Sequence, residues 1–349
     1  MKALLKHLNA LMLLYVVLAI GAGLALGHPR AAWIQAHQVG LSQLTTLAVF
    51  LIIYPMMVNL RIEALLQAGK NIKGLLLAMA FNFVWAPLLG LALARIFLND
   101  HLLALGFLLV MVVPCASMSI GYTGLAKGNL ELATVIVALS FLLAIVAVPL
   151  WMALFAAQYH FALPMGDMLQ TILVVLIAPM ILGYLTRLAL VRWTGPKHFQ
   201  ALQPLFPALS LLAMYGIIFL IFFGKATMIA THWQMVLLLL VPNGLFIAIT
   251  LLAVTWLNRR LGLSYEDNMA VVFASTGKNN GTAIAIATTA FSPLVAVPAA
   301  TMPIFQILLL VFYLKAAERI RAYFGGEPSS TVSKNETPVQ NRESTPVKL

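Results

Sequence analysis

Charged residues are scarce in this chain. Asp, Glu, Lys and Arg make up 9% of its 349 residues, whereas a soluble globular domain carries about 25%. Hydrophobic residues make up 62%, and apolar runs recur that reach the roughly 18 residues a membrane-crossing helix needs. These proportions exclude a soluble protein and predict an all-α integral membrane protein with many spans.

Cysteine is nearly absent as well. Cys115 is the single cysteine, so the chain cannot form an internal disulfide. The seven histidines are well separated and lie near the ends of apolar runs, and no Cys/His cluster has the spacing of metal ligands. We therefore expect no bound metal and no cofactor.

Acidic residues and histidines are missing from the middle of every apolar run. An intramembrane enzyme needs a nucleophile with a base, or grouped carboxylate and histidine ligands, so we predict no catalytic residues and no enzyme activity.

Nucleic acid is not an expected partner either, because the net charge of +11 is spread over short loops rather than gathered in one basic patch. A membrane sensor on a transporter scaffold remains an open alternative.

Hydropathy, together with the positions of helix-breaking residues, predicts ten transmembrane helices. The predicted spans, numbered 1 to 10 in chain order, are residues 10–27, 39–58, 72–98, 102–125, 130–157, 168–190, 201–223, 233–257, 267–288 and 292–315. The composition changes after Phe324, where Ser, Thr, Pro, Asn and Glu become frequent. Residues 325–349 are therefore predicted to form a disordered cytoplasmic tail.

Basic residues are distributed unequally over the two sides of these spans. Fourteen Lys and Arg residues lie in the N-terminal segment, the loops after even-numbered spans and the start of the C-terminal segment, against three on the opposite side, Arg30, Arg95 and Lys225. The positive-inside rule then places both termini in the cytoplasm. We expect a multi-pass protein of the plasma (inner) membrane, surrounded by lipid.

The two halves of the chain correspond to each other. Spans 1 to 5 and spans 6 to 10 begin at positions offset by about 160 residues, which divides the chain into a first five-helix repeat, 1–158, and a second, 159–324. Asn82 and Asn243 occupy matching mid-span positions. Because each half makes an odd number of crossings, the second repeat is inverted relative to the first, as in many secondary transporters.

Spans 4 and 9 contain the stretches best suited to interrupt a helix. Residues 114–121 of span 4 begin with a proline, which removes a main-chain donor, and residues 274–282 of span 9 are mostly small or polar. Interrupted helices of transporters bind the solute near the midplane. The candidate substrate-binding residues are Cys115, Ser117, Ser119, Lys278, Asn279, Asn280 and Thr282, with Asn82 of span 3.

Lys278 is the most unusual of these residues. It lies near the middle of span 9, where its stem of roughly 6 Å cannot reach either interface and a charge costs at least about 2.5 kcal/mol. A substrate anion, main-chain carbonyls or loss of its own proton must offset that cost, which makes Lys278 a candidate proton or coupling-ion site. The alternative is that it only pins the interrupted helix by donating to exposed carbonyls.

Cys115 and Asn82 also support two interpretations each. A buried cysteine is usually a small apolar residue, but a thiolate is a soft ligand that suits a metal or metalloid solute. A mid-span asparagine such as Asn82 either joins helices by hydrogen bonds or contacts the solute.

Several motifs resemble the arsenite efflux permeases of the arsenical-resistance type. They are Tyr54-Pro55 with Leu60-Arg61-Ile62-Glu63 and Leu65, Asn82 with Pro87, Pro114-Cys115 with Met118, Thr123, Leu125 and Lys127-Gly128-Asn129, and Asn279-Asn280. These permeases belong to the bile acid:sodium symporter superfamily, so the resemblance implies two inverted five-helix repeats with crossed, broken helices 4 and 9. It also implies that Cys115 binds the substrate, arsenite or a related metalloid.

Span 9 departs from that family in its charged residues. The glutamate that follows the family's Asn-Asn pair by two positions is Thr282 here, and the residue before the pair is Lys278. In the E-x-G-x-Q-N segment of the sodium-coupled members, the glutamate position is Ser275 and the glutamine position is Asn279. The comparison implies an alternative function, transport of an organic or inorganic anion without sodium, with the Lys278 ammonium in place of the coupling cation and Ser275 at the same coupling-ion or proton site.

The sequence as a whole favours a secondary active transporter. Inverted halves, paired interrupted helices and a midplane charge are typical of a carrier in which one bundle rocks against another around spans 4 and 9. Cys115 favours a metalloid solute and Lys278 favours an anion. A homo-oligomer is compatible with either.

Overall fold

The computed structural model describes residues 2–60, 71–158, 165–231 and 233–325, which are helical almost throughout. The α-helices are α1 Lys2–Ala10, α2 Met12–Gly27, α3 Ala31–Ala36, α4 Gln38–Val58, α5 Ile72–Ala80, α6 Ala86–Phe97, α7 His101–Val112, α8 Met118–Leu125, α9 Leu130–Gln158, α10 Met165–Ile172, α11 Ala178–Leu202, α12 Leu205–Gly224, α13 Ala226–Thr231, α14 Trp233–Arg260, α15 Tyr265–Thr276, α16 Asn280–Ala290, α17 Val297–Lys315 and α18 Ala317–Tyr323. Two π-helical segments, Phe81–Trp85 and Leu173–Ile177, join α5 to α6 and α10 to α11. The predicted disordered tail beyond Gly325 and the motif positions Arg61 to Leu65 lie outside the described residues.

Seven helical segments of the described chain are long and apolar enough to cross a membrane. They are Met12–Ala36, Gln38–Val58, Ile72–Phe97, Leu130–Gln158, Leu205–Gly224, Leu237–Arg260 and Val297–Lys315, and they coincide with predicted spans 1, 2, 3, 5, 7, 8 and 10. The prediction of an all-helical, multi-pass membrane protein is therefore confirmed.

Of the other three predicted spans, 4 and 9 are interrupted in the structure, and span 6 is a helical run that includes a π-helical segment, as span 3 does. Span 4 is split into α7 and α8, span 9 into α15 and α16, and span 6 consists of α10, a π-helical segment and α11. A helix of 12 residues, the length of α7 and of α15, is too short to cross a hydrocarbon core of about 30 Å at 1.5 Å per residue. The count of ten spans stays a prediction.

The predicted end of span 6, residue 190, lies five residues before a break within α11 at Gly195. The helix α11 continues to Leu202 through a change of direction at Gly195, whose φ is 78°. Glycine adopts this left-handed conformation at little cost, and Pro196 after it suits the first turn of a new helical segment. Hydropathy ends the span before this second helical run because five of residues 191–200 are polar or charged.

The helices form two groups that meet beside the interrupted segments. In the first group α12 packs on α2 and α4, and α4 packs on α11. The second group contains α5 to α9, α14, α15 and α17, and α16 joins it to α4. Close packing within the first group depends on Gly183, where an added Cβ would lie 2.7 Å from the Cβ of Met57.

The second group has the more completely buried interior. Residues Leu103 to Val112 of α7 are all buried, as expected for a helix that is apolar on every side. The residues of α15 and of α16 up to Ala287 include Ser, Thr and Asn and are mostly buried as well. Polar side chains in such a place need partners inside the protein, and the interrupted segments supply them.

Candidate solute site at two interrupted helices

The first interruption follows from Pro114. Proline lacks the N–H that would continue α7, and it disfavours a helical conformation in the residue before it. Val113 is accordingly extended, with φ −68° and ψ 156°. The chain resumes helical winding only at Met118, so residues 113–117 form a non-helical segment inside predicted span 4.

The second interruption follows Thr276. Gly277 has φ −81° and ψ 76°, and Asn279 begins α16 as its N-cap, with Oδ1 accepting the Thr282 N–H at 3.0 Å. Asparagine is among the preferred N-cap residues because its side chain satisfies a free N–H of the first turn. Gly277 is required by close packing, since an added Cβ would lie 2.5 Å from Ser119 Oγ and 2.7 Å from the Phe273 carbonyl oxygen.

The two interruptions pair with each other as a short antiparallel bridge. The Ala116 N–H donates to the Gly277 carbonyl at 2.7 Å, and the Asn279 N–H donates to the Pro114 carbonyl at 3.0 Å. Cys115 and Lys278 are the bridged residues, and in this type of pair the two side chains lie close together on one face. The pairing satisfies main-chain groups that a membrane interior would otherwise leave without partners.

Lys278 is fully buried and its ammonium contacts one residue of α5–α6, Asn82. Nζ donates to Asn82 Oδ1 at 3.0 Å and to the Asn82 carbonyl oxygen at 3.3 Å. That carbonyl is available because the Ala86 N–H donates to Phe81 instead, and the next residue, Pro87, has no N–H. A π-helical segment that ends before a proline thus provides an oxygen ligand for the ammonium.

Cys115 is also fully buried, and its thiol contacts α9. Sγ lies 3.1 Å from Ser140 Oγ. Because the Ser140 hydroxyl donates to the Val137 carbonyl at 2.8 Å, the thiol donates to Ser140. The sequence reasoning missed Ser140, although it is the one serine of predicted span 5.

Gln306 of α17 is a second residue that the sequence reasoning missed. Its Nε2 donates to the Lys278 carbonyl at 3.2 Å, and its Oε1 accepts the Asn280 side-chain amide at 3.3 Å. The available signal was that Gln306 is the only Gln or Asn in predicted span 10. Gln306 therefore supports the main chain at the second interruption.

Two side-chain oxygens of the first turn of α16 have no hydrogen-bond partner. They are Asn280 Oδ1 and Thr282 Oγ1, in residues that are 5% and 0% exposed. Such orphaned groups are costly in a protein interior. They give the site unused acceptors beside Lys278 in the chain.

The remaining residues predicted for the site differ in whether they contact another helix. Ser119 Oγ donates to the Phe273 carbonyl at 2.9 Å and so ties α8 to α15, while the Asn279 amide donates to Met56 Sδ at 3.1 Å and so contacts α4. Ser275 donates to Val271 within its own helix at 2.7 Å, and Ser117 is exposed. The structure thus gathers Cys115, Lys278, Asn82, Asn279 and Asn280 around one bridge and leaves Ser117 and Ser275 outside these contacts.

The side chains gathered around the bridge form a cluster with several kinds of ligating group. It offers one thiol, one ammonium, amides and hydroxyls, which suit hydrogen bonding, charge attraction and a single soft ligand. Within the described residues, no group of three or more His, Cys, Asp and Glu side chains is placed to hold a metal ion.

Comparison with known proteins identifies the family of this chain. Residues 46–232 match the Sodium Bile acid symporter family. The Arsenical-resistance protein Acr3 of Corynebacterium glutamicum is 24% identical over 298 residues, which cover 78% of this chain and 78% of that protein. The Uncharacterized sodium-dependent transporter YocS of Bacillus subtilis is 25% identical over 301 residues, which cover 84% and 89%. The Putative symporter YfeH of Escherichia coli is 25% identical over 277 residues, which cover 77% and 80%.

These findings confirm the resemblance that the motifs of spans 2 to 4 indicated. The family match covers more than half of the chain, and relatives named as transporters or symporters align over most of their length. The chain is a multi-pass membrane transporter that belongs to the Sodium Bile acid symporter family.

Proposed function

We propose that the protein is a secondary active transporter whose small solute binds where the two interrupted helices cross. The supporting observation is the pairing of Cys115 with Lys278 between non-helical segments from the two halves of the chain. Non-helical main chain inside a membrane is tolerated only where it is buried in protein or lines a cavity. In transporters it marks the solute site.

The proposal also covers the number and orientation of the membrane crossings. Counting α7 with α8, α15 with α16, and α10 with α11 as single crossings gives ten spans in two five-helix repeats, 1–158 and 159–324. The two halves are interrupted at corresponding positions, and the matching residues Asn82 and Asn243 are both fully buried. An inverted repeat with crossed helices 4 and 9, and with both termini on the cytoplasmic side of the plasma membrane, accounts for these features.

Arsenite or a related metalloid is the solute class that we put first. Cys115 supplies one soft sulfur ligand, and the unpartnered Oδ1 of Asn280 supplies a hydrogen-bond acceptor for a hydroxyl that arsenic carries. Aligned relatives from two bacteria carry the name Arsenical-resistance protein Acr3. In this chain the Cys115 thiol is hydrogen-bonded to Ser140, so a solute that binds the sulfur must break that hydrogen bond.

Arsenite accumulation in everted membrane vesicles tests this assignment. We expect vesicles that contain the full chain to accumulate arsenite, and Cys115→Ala and Cys115→Ser to abolish the accumulation, because serine keeps the size but not the softness of sulfur. Gly216→Ala, in α12 where no atom lies within 4 Å of the added Cβ, serves as the control and retains it. Equal accumulation in wild type and Cys115→Ser would remove the thiol from the site, and no accumulation above empty vesicles would remove the metalloid.

A small organic or inorganic anion is the second candidate. It is favoured by Lys278, a fully buried ammonium whose side-chain contacts are neutral oxygens of Asn82. A bound anion would neutralise this charge, and sodium would not be needed because the ammonium stands in for it. Uptake of a panel of anions into proteoliposomes, with sodium or choline as the cation, tests anion transport and its independence from sodium. A strong, saturable acceleration of uptake by sodium would contradict that independence.

We also propose that the site opens to the cytoplasm in this conformation. Ser117, at the N-cap of α8, and Gly121 are exposed on the same face as Leu125, and a serine and a glycine at the start of this face are unlike a surface selected to face lipid. By the predicted topology α8 lies in the cytoplasmic half of span 4, whereas α7 and most of α16, in the outer half, are buried. A water-filled path along α8 accounts for this difference.

A further inference from the structure

We propose that a pocket between the end of α2, the start of α3 and the end of α12 binds an anionic phospholipid of the surrounding membrane. Arg30 holds the phosphate, and the rings of Trp33 and Phe223 hold the upper part of an acyl chain. The pocket shares no residue with the crossing of the interrupted helices, so this binding site goes beyond the proposed transport function.

The pocket combines three apolar walls with one cation. It has a volume of about 340 Å³ and is lined by Leu26, Arg30, Trp33 and Phe223. The Trp33 ring meets Phe223 edge-on, with centroids 6.2 Å apart, and stacks on His37 at 4.2 Å. Leu26 and Trp33 are nevertheless 45% and 48% exposed. An occupant that covers these walls therefore has an apolar part, and beside Arg30 it has an anionic part.

The position of the pocket follows from the close approach of α2 and α12. A Cβ added to Gly27 would overlap the Phe223 carbonyl oxygen and lie 2.7 Å from the Cβ of Ala226, so the two helices are in main-chain contact at this point. Beyond Gly27 the chain forms a 3₁₀ turn, residues 28–30, and α12 ends at Gly224. Both helices thus end at the same level, and the pocket lies at that level.

The segments that build this corner carry positive charge and no negative charge. The 3₁₀ turn with Arg30 contacts α13, which directly follows Lys225. The sequence contains no Asp or Glu between residues 1 and 62 or between residues 168 and 265. These segments therefore offer no carboxylate to Arg30 or Lys225, and the charge of the corner is complementary to an anion.

Arg30 is held in a position to bind a phosphate. Its Nη1 donates to the Leu26 carbonyl oxygen at 3.0 Å, which fixes the guanidinium beside the pocket. A guanidinium has five N–H donors, so this contact leaves four. Arginine binds phosphate through two parallel hydrogen bonds, and the remaining donors are sufficient for that arrangement.

The depth of the pocket selects a lipid as the source of the phosphate. Predicted spans 1 and 7 end at residues 27 and 223, so the pocket lies where the hydrocarbon core meets the headgroups, the level at which tryptophan is enriched. A free phosphate would pair with Arg30 but leave the apolar walls uncovered. A phospholipid without net charge would leave the excess positive charge. By the predicted topology the lipid belongs to the outer leaflet, the side to which Arg30 and Lys225 are assigned.

Thermal unfolding of the purified full chain in detergent tests the proposal. The protein is titrated with phosphatidylglycerol, and Tm is compared with that at an equal mole fraction of phosphatidylcholine and with that in sodium phosphate. We expect phosphatidylglycerol to give a saturable rise of Tm over phosphatidylcholine, because a ligand stabilises the state that binds it. Sodium phosphate should give no rise. An equal rise with sodium phosphate would mean a site for a free anion and would overturn the lipid assignment.

Matched variants assign the response to this pocket. Arg30→Gln should lose the response to phosphatidylglycerol, whereas Arg95→Gln, at an exposed arginine of α6, should keep it. Trp33→Ala should weaken the response, and Trp193→Ala, at a tryptophan that is 80% exposed, should not. An equal response in wild type and Arg30→Gln, or no rise over phosphatidylcholine in wild type, overturns the proposal.

A second measurement covers the case in which Arg30→Gln does not fold. Arg30→Lys keeps the charge but not the two-pronged donor, and native mass spectrometry should show less retained phosphatidylglycerol in this variant than in wild type. Equal retention in the two proteins would overturn the proposal. Because lipid binding is measured without transport, the result is independent of which solute the protein carries.

Discussion

Cys115 and Lys278 lie opposite each other in a two-stranded antiparallel bridge at the centre of a helical membrane protein. The main-chain hydrogen bonds on either side of the pair, at 2.7 and 3.0 Å, hold the two interrupted helices together. From this point the thiol reaches Ser140 and the ammonium reaches Asn82. One soft ligand and one positive charge are therefore positioned by the same short bridge.

Asn82→Ala should destabilise the protein because it leaves the buried ammonium with one fewer acceptor. A hydrogen bond to a charged group contributes about 1.5–3 kcal/mol, and unfolding in detergent should show a loss of that size. Asn243→Ala is the matched control from the other half, where the amide makes only a 3.3 Å contact with Thr301 and the loss should be about 1 kcal/mol or less. Equal losses in the two variants would mean that the Lys278 contact adds nothing.

Gly277→Ala should disrupt the bridge through steric overlap. The new Cβ would lie 2.5 Å from Ser119 Oγ and 2.7 Å from the Phe273 carbonyl oxygen, and the latter, as main chain, cannot swing away. Overpacking of this kind costs about 1–3 kcal/mol, so Tm and transport should both fall. Gly216→Ala, with no atom within 4 Å of its Cβ, should leave both nearly unchanged.

A compensating variant sharpens this prediction. Ser119→Ala removes one of the two overlapping atoms, so Gly277→Ala combined with Ser119→Ala should recover part of the lost Tm but not all of it. Full recovery would show that the serine alone makes the site tight. No difference between Gly277→Ala and Gly216→Ala would contradict the packing.

The position of the interruptions could be predicted from the sequence, but most of their contacts could not. Pro114 and the small polar run around Gly277 are local signals, and local signals determine where a helix ends. The contact of Lys278 with Asn82 depends on how two helices from different halves are rotated and shifted against each other. Hydropathy contains no information about that rotation.

The residues missed by sequence reasoning illustrate the same limit. Ser140 and Gln306 are polar side chains inside long, mostly apolar helices, and a residue of this kind either bonds to a neighbouring helix or makes no specific contact. Ser275 was selected for its position in a motif, yet its hydroxyl donates to Val271 in its own helix. Only the packed structure separates these cases.

Gln306→Leu should impair transport more than it impairs folding. The change removes the donor to the Lys278 carbonyl and the acceptor of the Asn280 amide, so the interrupted segment loses its support from α17. We expect a loss of about 1–3 kcal/mol for the unpaired groups and a larger proportional loss of solute uptake. The exposed Gln43→Leu is the control; similar uptake in both variants would contradict the positioning role.

Cysteine labelling should distinguish the proposed water-filled path from the lipid-facing surface. In a Cys115→Ala background, Ser117→Cys should react with a membrane-impermeant thiol reagent from the cytoplasmic side. Val146→Cys should not, because Val146, although 68% exposed, lies on the apolar helix α9 and is expected to face lipid. Reaction of both, or reaction of Ser117→Cys only from the outer side, would contradict the path to the cytoplasm.

The most direct test of the helix crossing uses the single native cysteine. Lys278→Cys creates a protein with two thiols, and a non-hydrogen-bonded antiparallel pair places its Cα atoms about 4.5 Å apart, within the range of a disulfide. After mild oxidation and cleavage between the two halves, we predict that the fragments remain joined until a reductant is added. Separate fragments before reduction, in protein that is otherwise folded, would contradict the pairing of Cys115 with Lys278 on which the solute site depends.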